Sequence, residues 1–393
     1  MEHRFGVGRR AFLARTLAWS ATIAAADLVA WGLLPALAAS ESASGSLDGV
    51  RLRRLVIDVT RAPFRARGDG EANDGPAIQA ALDTAAAAGG GIVYLPAGTY
   101  QLGSIQEQTL VRYFLLNVQS GVSIVGAGRD VTVLRAPAGM PDQTRIISSS
   151  SADGKSRVIG AGFHDFTIDG NGASQPDARS TVGISNVYTA SIRHTGVRIV
   201  GVKGLADAEG ACFDSVYSAN NTYRDCEVIQ RPGESTGSGF SATQSSGIAY
   251  EGCASSGSAY WQGFTTYLSQ AISYTDCYGF SNGQRGLNCE QSSDVRYVNC
   301  RAGGDAVGNR GDGIYVFKSK NVDVVDCTAR ANQSGVVNIG SSVRIAGGQF
   351  TANREAGVAF GSEEDWQNSS IDADAVLTTN GRAAVAVGGV AIA

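Results

Sequence analysis

Proline, histidine and lysine are scarce in this chain of 393 residues: 8 Pro, 3 His and, among 32 basic residues, only Lys155, Lys203, Lys318 and Lys320 as lysines. Charged residues make up 17% of the chain against 43% hydrophobic, and the net charge is −4. So few charges and so much apolar content exclude a disordered chain. An acidic balance without a basic stripe excludes the electrostatic footprint of a nucleic-acid binder. No phosphate-binding glycine loop, nucleophile elbow or metal-ligand cluster occurs, and no apolar run of membrane length follows residue 40. Glycine, by contrast, is abundant at 51 residues.

Residues 1–39 read as an address. Gly8-Arg9-Arg10-Ala11-Phe12-Leu13 resembles the twin-arginine export signal, and an Ala/Leu-rich stretch leads to Leu34-Pro35 and the mostly small residues Ala36-Leu37-Ala38-Ala39. Charged, apolar and small-residue regions in that order predict a signal peptide, with a periplasmic or secreted mature chain starting near Ser40. The other reading is an uncleaved membrane anchor, against which Arg15 and Asp27 stand inside the apolar stretch. Residues 40–393 are expected to form one domain.

The main signal is an internal repeat. Segments begin at Gly183, Cys212, Gly239, Gly263, Gly286 and Gly313, with looser copies at Gly335 and Gly357. Taking the first residue as position zero, position one is apolar or aromatic (Ile184, Phe213, Phe240, Phe264, Leu287, Ile314). Position six carries a hydroxyl (Thr189, Ser218, Ser245, Ser269, Ser292, Ser319). Position nine is Ile or Val except at Asn221. Position eleven holds His194, Tyr223, Tyr250, Tyr274, Tyr297 and Val324, and position fourteen holds Val197, Cys226, Cys253, Cys277, Cys300 and Cys327. Repeats of 22–29 residues built from short alternating segments broken by Gly, Ser and Asn are not helical. They predict an all-β fold, a right-handed single-stranded parallel β-helix in which equivalent positions stack about 4.8 Å apart. Cysteines at position fourteen then form a ladder of small buried hydrophobes, and parallel stacking rarely supplies the torsion a disulfide needs. His194, in the tyrosine row, reads as a buried stacked ring.

Ahead of the repeats, Asp74-Gly75-Pro76 predicts a short capping helix with Asp74 as its N-cap and Ile78, Ala81 and Leu82 on one face. Gly89-Gly90-Gly91 ends it. Asp69 and Asp74 are read as turn and cap residues rather than catalytic acids. Asp169-Gly170-Asn171-Gly172 is read as a turn, with calcium the alternative it leaves open; no other cofactor is expected. The apolar tail from Ala383 to Ala393 has no comparable cap, which points to contact with another subunit in a homo-oligomer.

The stretch Phe64–Gly70, Asn73-Asp74-Gly75, Ala77–Ala81 and Gly91-Ile-Val-Tyr-Leu-Pro-Ala-Gly-Thr-Tyr100 resembles the N-terminal signature of the pectate-lyase-like β-helix superfamily. That group includes polygalacturonases, mannuronan C5-epimerases and phage tailspikes, so the resemblance implies the fold and leaves the reaction open. Phe213-Asp214-Ser215-Val216 is similar to the Phe-Asp-Pro-His of the epimerase catalytic coil. The resemblance implies a catalytic role for Asp214 and a carboxylate-neutralising role for Arg179 one coil earlier. It also puts Val216 and Ala211 where the epimerases carry a catalytic His and Tyr. None of the polygalacturonase motifs is present.

Alternation turns positions two and four of the first strand outward, lining a shallow trough. Position two reads Ser185, Asp214, Ser241, Thr265, Asn288, Tyr315, and position four reads Val187, Val216, Thr243, Tyr267, Glu290, Phe317. Tyr267 and Glu290 fall on adjacent coils, a pair able to move a proton. Asp214 and Glu290 lie three coils apart, about 14 Å, too far for a direct two-carboxylate glycosidase. The two longest corners contribute Arg231 and Glu234, then Arg301, Asp305, Arg310 and Asp312, with Tyr260-Trp261 between them. Cations beside exposed aromatics suit an acidic sugar; solvated ion pairs and a core-covering Trp261 are the plainer alternative. The expected partner is a polysaccharide, with no nucleic acid and no membrane after loss of the leader. The expected activity is uronate β-elimination or C5 epimerisation, catalysed by Asp214, Tyr267, Glu290 and Arg179. A glycoside hydrolase or glycan-cyclising transferase, and a non-catalytic glycan binder, are the alternatives.

Overall fold

A computed structural model describes residues 55–392, apart from 109–111, 152–155, 178–179, 205–209, 231–236 and 305–306. The leader therefore lies outside the described residues, as do Arg179, Arg231, Glu234 and Asp305. No helix among the described residues is long and apolar enough to cross a membrane.

The chain winds as a right-handed parallel β-helix of three sheets with 12, 11 and 13 strands. Along the repeats each coil contributes one strand to each of these sheets, and the register follows the sequence: Phe213 pairs with Phe240, Phe240 with Phe264, Phe264 with Leu287. Phe213, Phe240 and Phe264 stack at 4.8 Å per step on the inner face of the 13-stranded sheet. On the 12-stranded sheet His194, Tyr223, Tyr250, Tyr274 and Tyr297 form a second column with spacings of 4.2–4.9 Å. The two columns meet edge to face, the arrangement that aligns ring edges with ring faces.

The polar ladder at position six has a specific function. The residue before it bends the chain through the left-handed region: φ is 51° at Tyr217, 49° at Gln244, 50° at Leu268 and Gln291, and 46° at Lys318. The N–H exposed at that bend is met by the hydroxyl of the next coil. Ser218 N–H donates to Ser245 Oγ at 3.0 Å, Ser245 to Ser269 at 3.0 Å and Ser269 to Ser292 at 3.0 Å. Asn282, Asn309, Asn332 and Asn353 close another corner in the same way, each backbone N–H donating to Oδ1 of the next asparagine and the last to that of Asn380. Buried backbone donors left without such partners would each cost about 1–3 kcal/mol. All seven cysteines are free and buried. In the ladder, each Sγ donates weakly to a carbonyl two residues back, as Cys277 does to Thr275 O at 3.4 Å.

The helix Gly75–Ala87 covers the N-terminal end, burying Ile78, Ala81, Leu82 and Ala85. Asp74 precedes it but makes no side-chain cap. Its carboxylate instead accepts from Arg67 N–H at 2.7 Å and Gly68 N–H at 2.9 Å, pinning the preceding loop. Asp69 closes a turn, accepting from Glu71 and Ala72 N–H. Asp169 does likewise for Asn171 N–H at 2.9 Å, and among the described residues no group of three or more His, Cys, Asp or Glu could hold a metal. Gly90 is needed where the coils touch: at φ 122°, a Cβ there would stand 2.8 Å from Gly121 O. At the other end the tail is itself a strand. Ala383–Val387 pairs parallel with Ala356–Phe360, and Val390–Ala391 folds back on it antiparallel.

Candidate functional site

Strands Thr181–Val187, Ala211–Val216, Ser238–Thr243, Phe264–Tyr267, Leu287–Glu290 and Ile314–Phe317 lie side by side in the 13-stranded sheet. With position one packed inward, Ser148, Ser185, Asp214, Ser241, Thr265, Asn288 and Tyr315 form one outward row. Val187, Val216, Thr243, Tyr267, Glu290 and Phe317 form the next. The face is not the shallow one expected. Asp214 is 8% exposed, Thr265 2% and Asn288 0%, so the first row is a buried floor.

The N-terminal part of this floor centres on Asp214. Arg145, on strand Thr144–Ser149, is its electrostatic partner: burial pushes the guanidinium down from its ordinary pKa, and the Asp214 and Asp142 carboxylates act against that shift. Arg145 also donates to Gln143 O at 2.6 Å. Between Ser148 and Asp214 the Ser185 hydroxyl is buried without a hydrogen-bond partner in the protein. Further along the strands Val187, Val216 and Phe114 form a buried apolar cluster, covered by Tyr188 and Tyr217, whose rings stack at 4.9 Å. Val216 and Ala211 are thus apolar and buried at the two positions where the resemblance would put a histidine and a tyrosine.

Directly behind Asp214 the interior is polar. Ser215 Oγ lies 2.8 Å from Tyr223 Oη, and Asn186 Nδ2 donates to Tyr223 Oη at 3.1 Å. The exceptional Asn221 joins this network, donating to Ser215 Oγ at 3.2 Å and accepting from Ile192 N–H at 3.0 Å. His194 stacks between Phe163 and Tyr223, and burial pushes its pKa down to about 3. The ring is neutral, with Nδ1 donating to Thr222 O and Nε2 accepting from Asn186, both at 3.3 Å.

The C-terminal part of the floor is built around Arg285. Its guanidinium donates to Glu290 Oε1 at 3.2 Å and Asn288 Oδ1 at 3.1 Å, and lies 3.4 Å above the Tyr315 ring. Asn288 Nδ2 also donates to Glu290, at 3.2 Å. Tyr267 adjoins Glu290 on the neighbouring strand, as the repeat predicts. Tyr315 and Phe317 lie 6.3 Å apart, and Lys318 Nζ sits 5.0 Å over Phe317. Burial pushes the Asp312 carboxyl up, opposed by the charges of Arg285 and Arg354 and by the Ser334 N–H it accepts from.

Of the expected corner residues, the structure describes Tyr260, Trp261, Arg301 and Arg310. Tyr260 is 45% exposed, and Trp261, half-buried beside it, donates its N–H to Ser258 Oγ at 3.1 Å. Arg310 is exposed, and its carbonyl accepts from Arg354 Nη2 at 2.6 Å. Arg301 belongs to the 11-stranded sheet, in register with Tyr278 and Thr328, and is separate from the trough. Corner length flagged it, but the residue sits on the strand before that corner. The residues missed are Arg145 and Arg285, one place before position zero, and Tyr188 and Tyr217, at position five. They flank the outward positions that alternation singles out.

A family model described as rhamnogalacturonase A/epimerase, pectate lyase-like, matches residues 59–315. The chain belongs to this family. Among curated proteins, mannuronan C5-epimerase AlgE2 of Azotobacter vinelandii is 42% identical over 116 residues, 29% of this chain and 11% of that protein. Alginate lyase 7 of the same organism is 42% identical over 109 residues, 28% of this chain and 12% of that protein. The match thus spans about a tenth of the length of these relatives. Among solved structures, the A-module of Azotobacter vinelandii mannuronan C-5 epimerase AlgE4 aligns with a TM-score of 0.58 and 20% identity, covering 86% of this chain and 97% of that one. The Dettilon tailspike protein aligns at 0.54 and 15% identity, covering 84% and 68%. These structural likenesses establish the family's parallel β-helix fold.

Proposed function

We propose that this protein is an exported enzyme that modifies an acidic polysaccharide laid along the trough of the 13-stranded sheet, by β-elimination or C5 epimerisation of a uronate. The observation that carries the reading is the Asp214 carboxylate sunk in the floor of that trough, with Arg145 as its charge partner two coils away. The family, and relatives named as a C5-epimerase and an alginate lyase, support it. A cation that neutralises the uronate carboxylate stabilises the enediolate formed when the C5–H bond breaks. Arg145 has the charge for this, and Arg179 is the alternative that the resemblance supplies. Asp214 or Tyr267 would take the proton, with Glu290 orienting the tyrosine. In epimerisation a proton returns to C5 from the opposite face. In elimination the C4–O bond breaks, the leaving oxygen gains a proton, and a C4–C5 double bond remains. The twin-arginine-like leader supports export to the periplasm or medium.

A glycan binder without turnover is the second reading, favoured by the apolar residues at Val216 and Ala211. The test is incubation of residues 40–393 with a panel of acidic glycans, read by unsaturated-uronate absorbance and by solvent-proton exchange at C5. Either signal supports the enzyme. Binding with neither signal leaves the binder, and product gaining the mass of water moves the reaction to hydrolysis.

A further inference from the structure

The trough contains a feature that the chemistry at Asp214 does not use. In coils carrying Ser241 and Thr265 the floor is lined by hydroxyls, but strand Ile314–Phe317 turns two aromatic rings outward, Tyr315 and Phe317. Neither ring is fully buried. A cation stands at each end of this strip, Arg285 over Tyr315 at 3.4 Å and Lys318 over Phe317 at 5.0 Å. Lys318 is the single cation in the row of corner residues Tyr188, Tyr217, Gln244, Leu268, Gln291, Lys318 and Gly340. Its left-handed backbone aims the side chain back across its own strand. Arg285 is largely neutralised by Glu290, whereas no carboxylate pairs with Lys318 among the described residues. An ammonium resting on a ring face keeps donors to offer a second, anionic partner.

We propose that Tyr315, Phe317 and Lys318 form a distal subsite for a uronate residue of the same glycan chain that reacts at Asp214. The proposal rests on the acidic-polysaccharide reading above and adds a position to it. From Asp214 the register runs through Ser241, Thr265 and Asn288 to Tyr315, four coil steps. At about 4.8 Å per step this is roughly 19 Å. One coil step is close to the length of one sugar unit in an extended 1,4-linked chain. A glycan following the sheet axis therefore brings its fourth unit beyond the reacting one over Phe317. There the apolar side of the sugar can lie across the outer edges of the two rings and its carboxylate can accept from Lys318.

The experiment is calorimetric titration of residues 40–393 with oligouronates of increasing length, beside neutral oligosaccharides of equal length. Affinity is expected to step up at about the length that joins Asp214 to Phe317. Lys318→Gln and Phe317→Ala should each shrink that step by about tenfold, the factor carried by one charge-assisted contact. Glutamine already occupies this corner at Gln244 and Gln291, so Lys318→Gln fits the backbone. A step that survives in both folded variants overturns the subsite while leaving the acidic-glycan reading intact. Neutral chains showing the same Lys318-dependent step overturn its anionic assignment. No binding of any oligouronate by the wild type overturns the underlying reading and the subsite with it.

Discussion

The two charged regions of the trough differ most in the interior that lies behind them. At Asp214 the outer face carries Ser185 and Ser241 beside the carboxylate and the apolar Val187, Val216 and Phe114 further along the strands, while the interior behind it is polar, with Asn186, Ser215, Asn221 and His194. At Glu290 the outer face holds Arg285, Asn288 and Glu290, while the inward neighbours are Cys289 and Val316. The two ends of the tyrosine column differ accordingly. Tyr223 Oη finds Ser215 and Asn186, whereas the Tyr297 hydroxyl, eight residues after Cys289, is buried without a partner. A carboxylate sunk in the floor with a guanidinium acting on it suits chemistry. A carboxylate tied to a guanidinium and an amide beside aromatics suits recognition.

The largest expected effect tests that division. Asp214→Asn should lower turnover by roughly 10²–10⁴-fold, the scale of a general acid or base, and should also lower the melting temperature, because it leaves the Arg145 charge buried without its partner. Glu290→Gln should act mainly on KM where Asp214 takes the proton, and a loss confined to kcat would move the proton transfer to Tyr267 and its partner Glu290.

The second effect is a dependence of stability on pH. With its folded pKa pushed down to about 3, His194 binds protons more readily in the unfolded chain. Its contribution is therefore complete above its ordinary value of 6.5 and lost as pH falls towards 3, a loss on the order of a few kcal/mol. Urea midpoints measured from pH 7 to pH 4 should fall in the wild type and more gently in His194→Phe.

Asp312, at the Glu290 end, has the opposite sign. Its raised folded pKa means stability present in acid and lost as pH rises through that value. Asp312→Asn should melt higher than wild type at neutral pH and match it below the ordinary carboxylate range.

The smallest contrast lies inside the helix. Tyr223→Phe should cost about 1–3 kcal/mol, because it weakens a buried network. Tyr297→Phe should change stability by less than about 0.5 kcal/mol or improve it, because the hydroxyl it removes has no partner. Equal losses in chemical denaturation would dissolve the contrast.

These asymmetries also separate what the sequence discloses from what it hides. Inward residues meet the same neighbours on every coil, so selection by packing repeats and the phenylalanine, tyrosine, cysteine and serine rows stand out. Asn221 broke the position-nine pattern because it serves the network behind Asp214, a visible exception whose reason is tertiary. Arg145, Arg285, Tyr188 and Tyr217 face outward where each coil meets something different, and no periodicity marks them. Arg145 reaches Asp214 from two coils away, a relation that only the stacked register supplies. Asp74 was legible as structural, but its carboxylate serves the loop before it, since Arg67 and Gly68 present N–H groups with no strand to pair them. Corner length locates an insertion only to within a few residues, and Arg301 lies on the strand just before the corner that it marks.

The cysteine ladder turns the molecule into its own strain gauge. With seven free thiols sealed in the interior, a thiol reagent can reach a given sulfur only when the coils around it part. Cys212 and Cys327 bracket the set along the chain, so labelling rates read one cysteine at a time would trace how far opening creeps inward from either end. A β-helix has no hub whose loss collapses everything at once. Its weak points are its two ends, and here it carries a graduated scale between them.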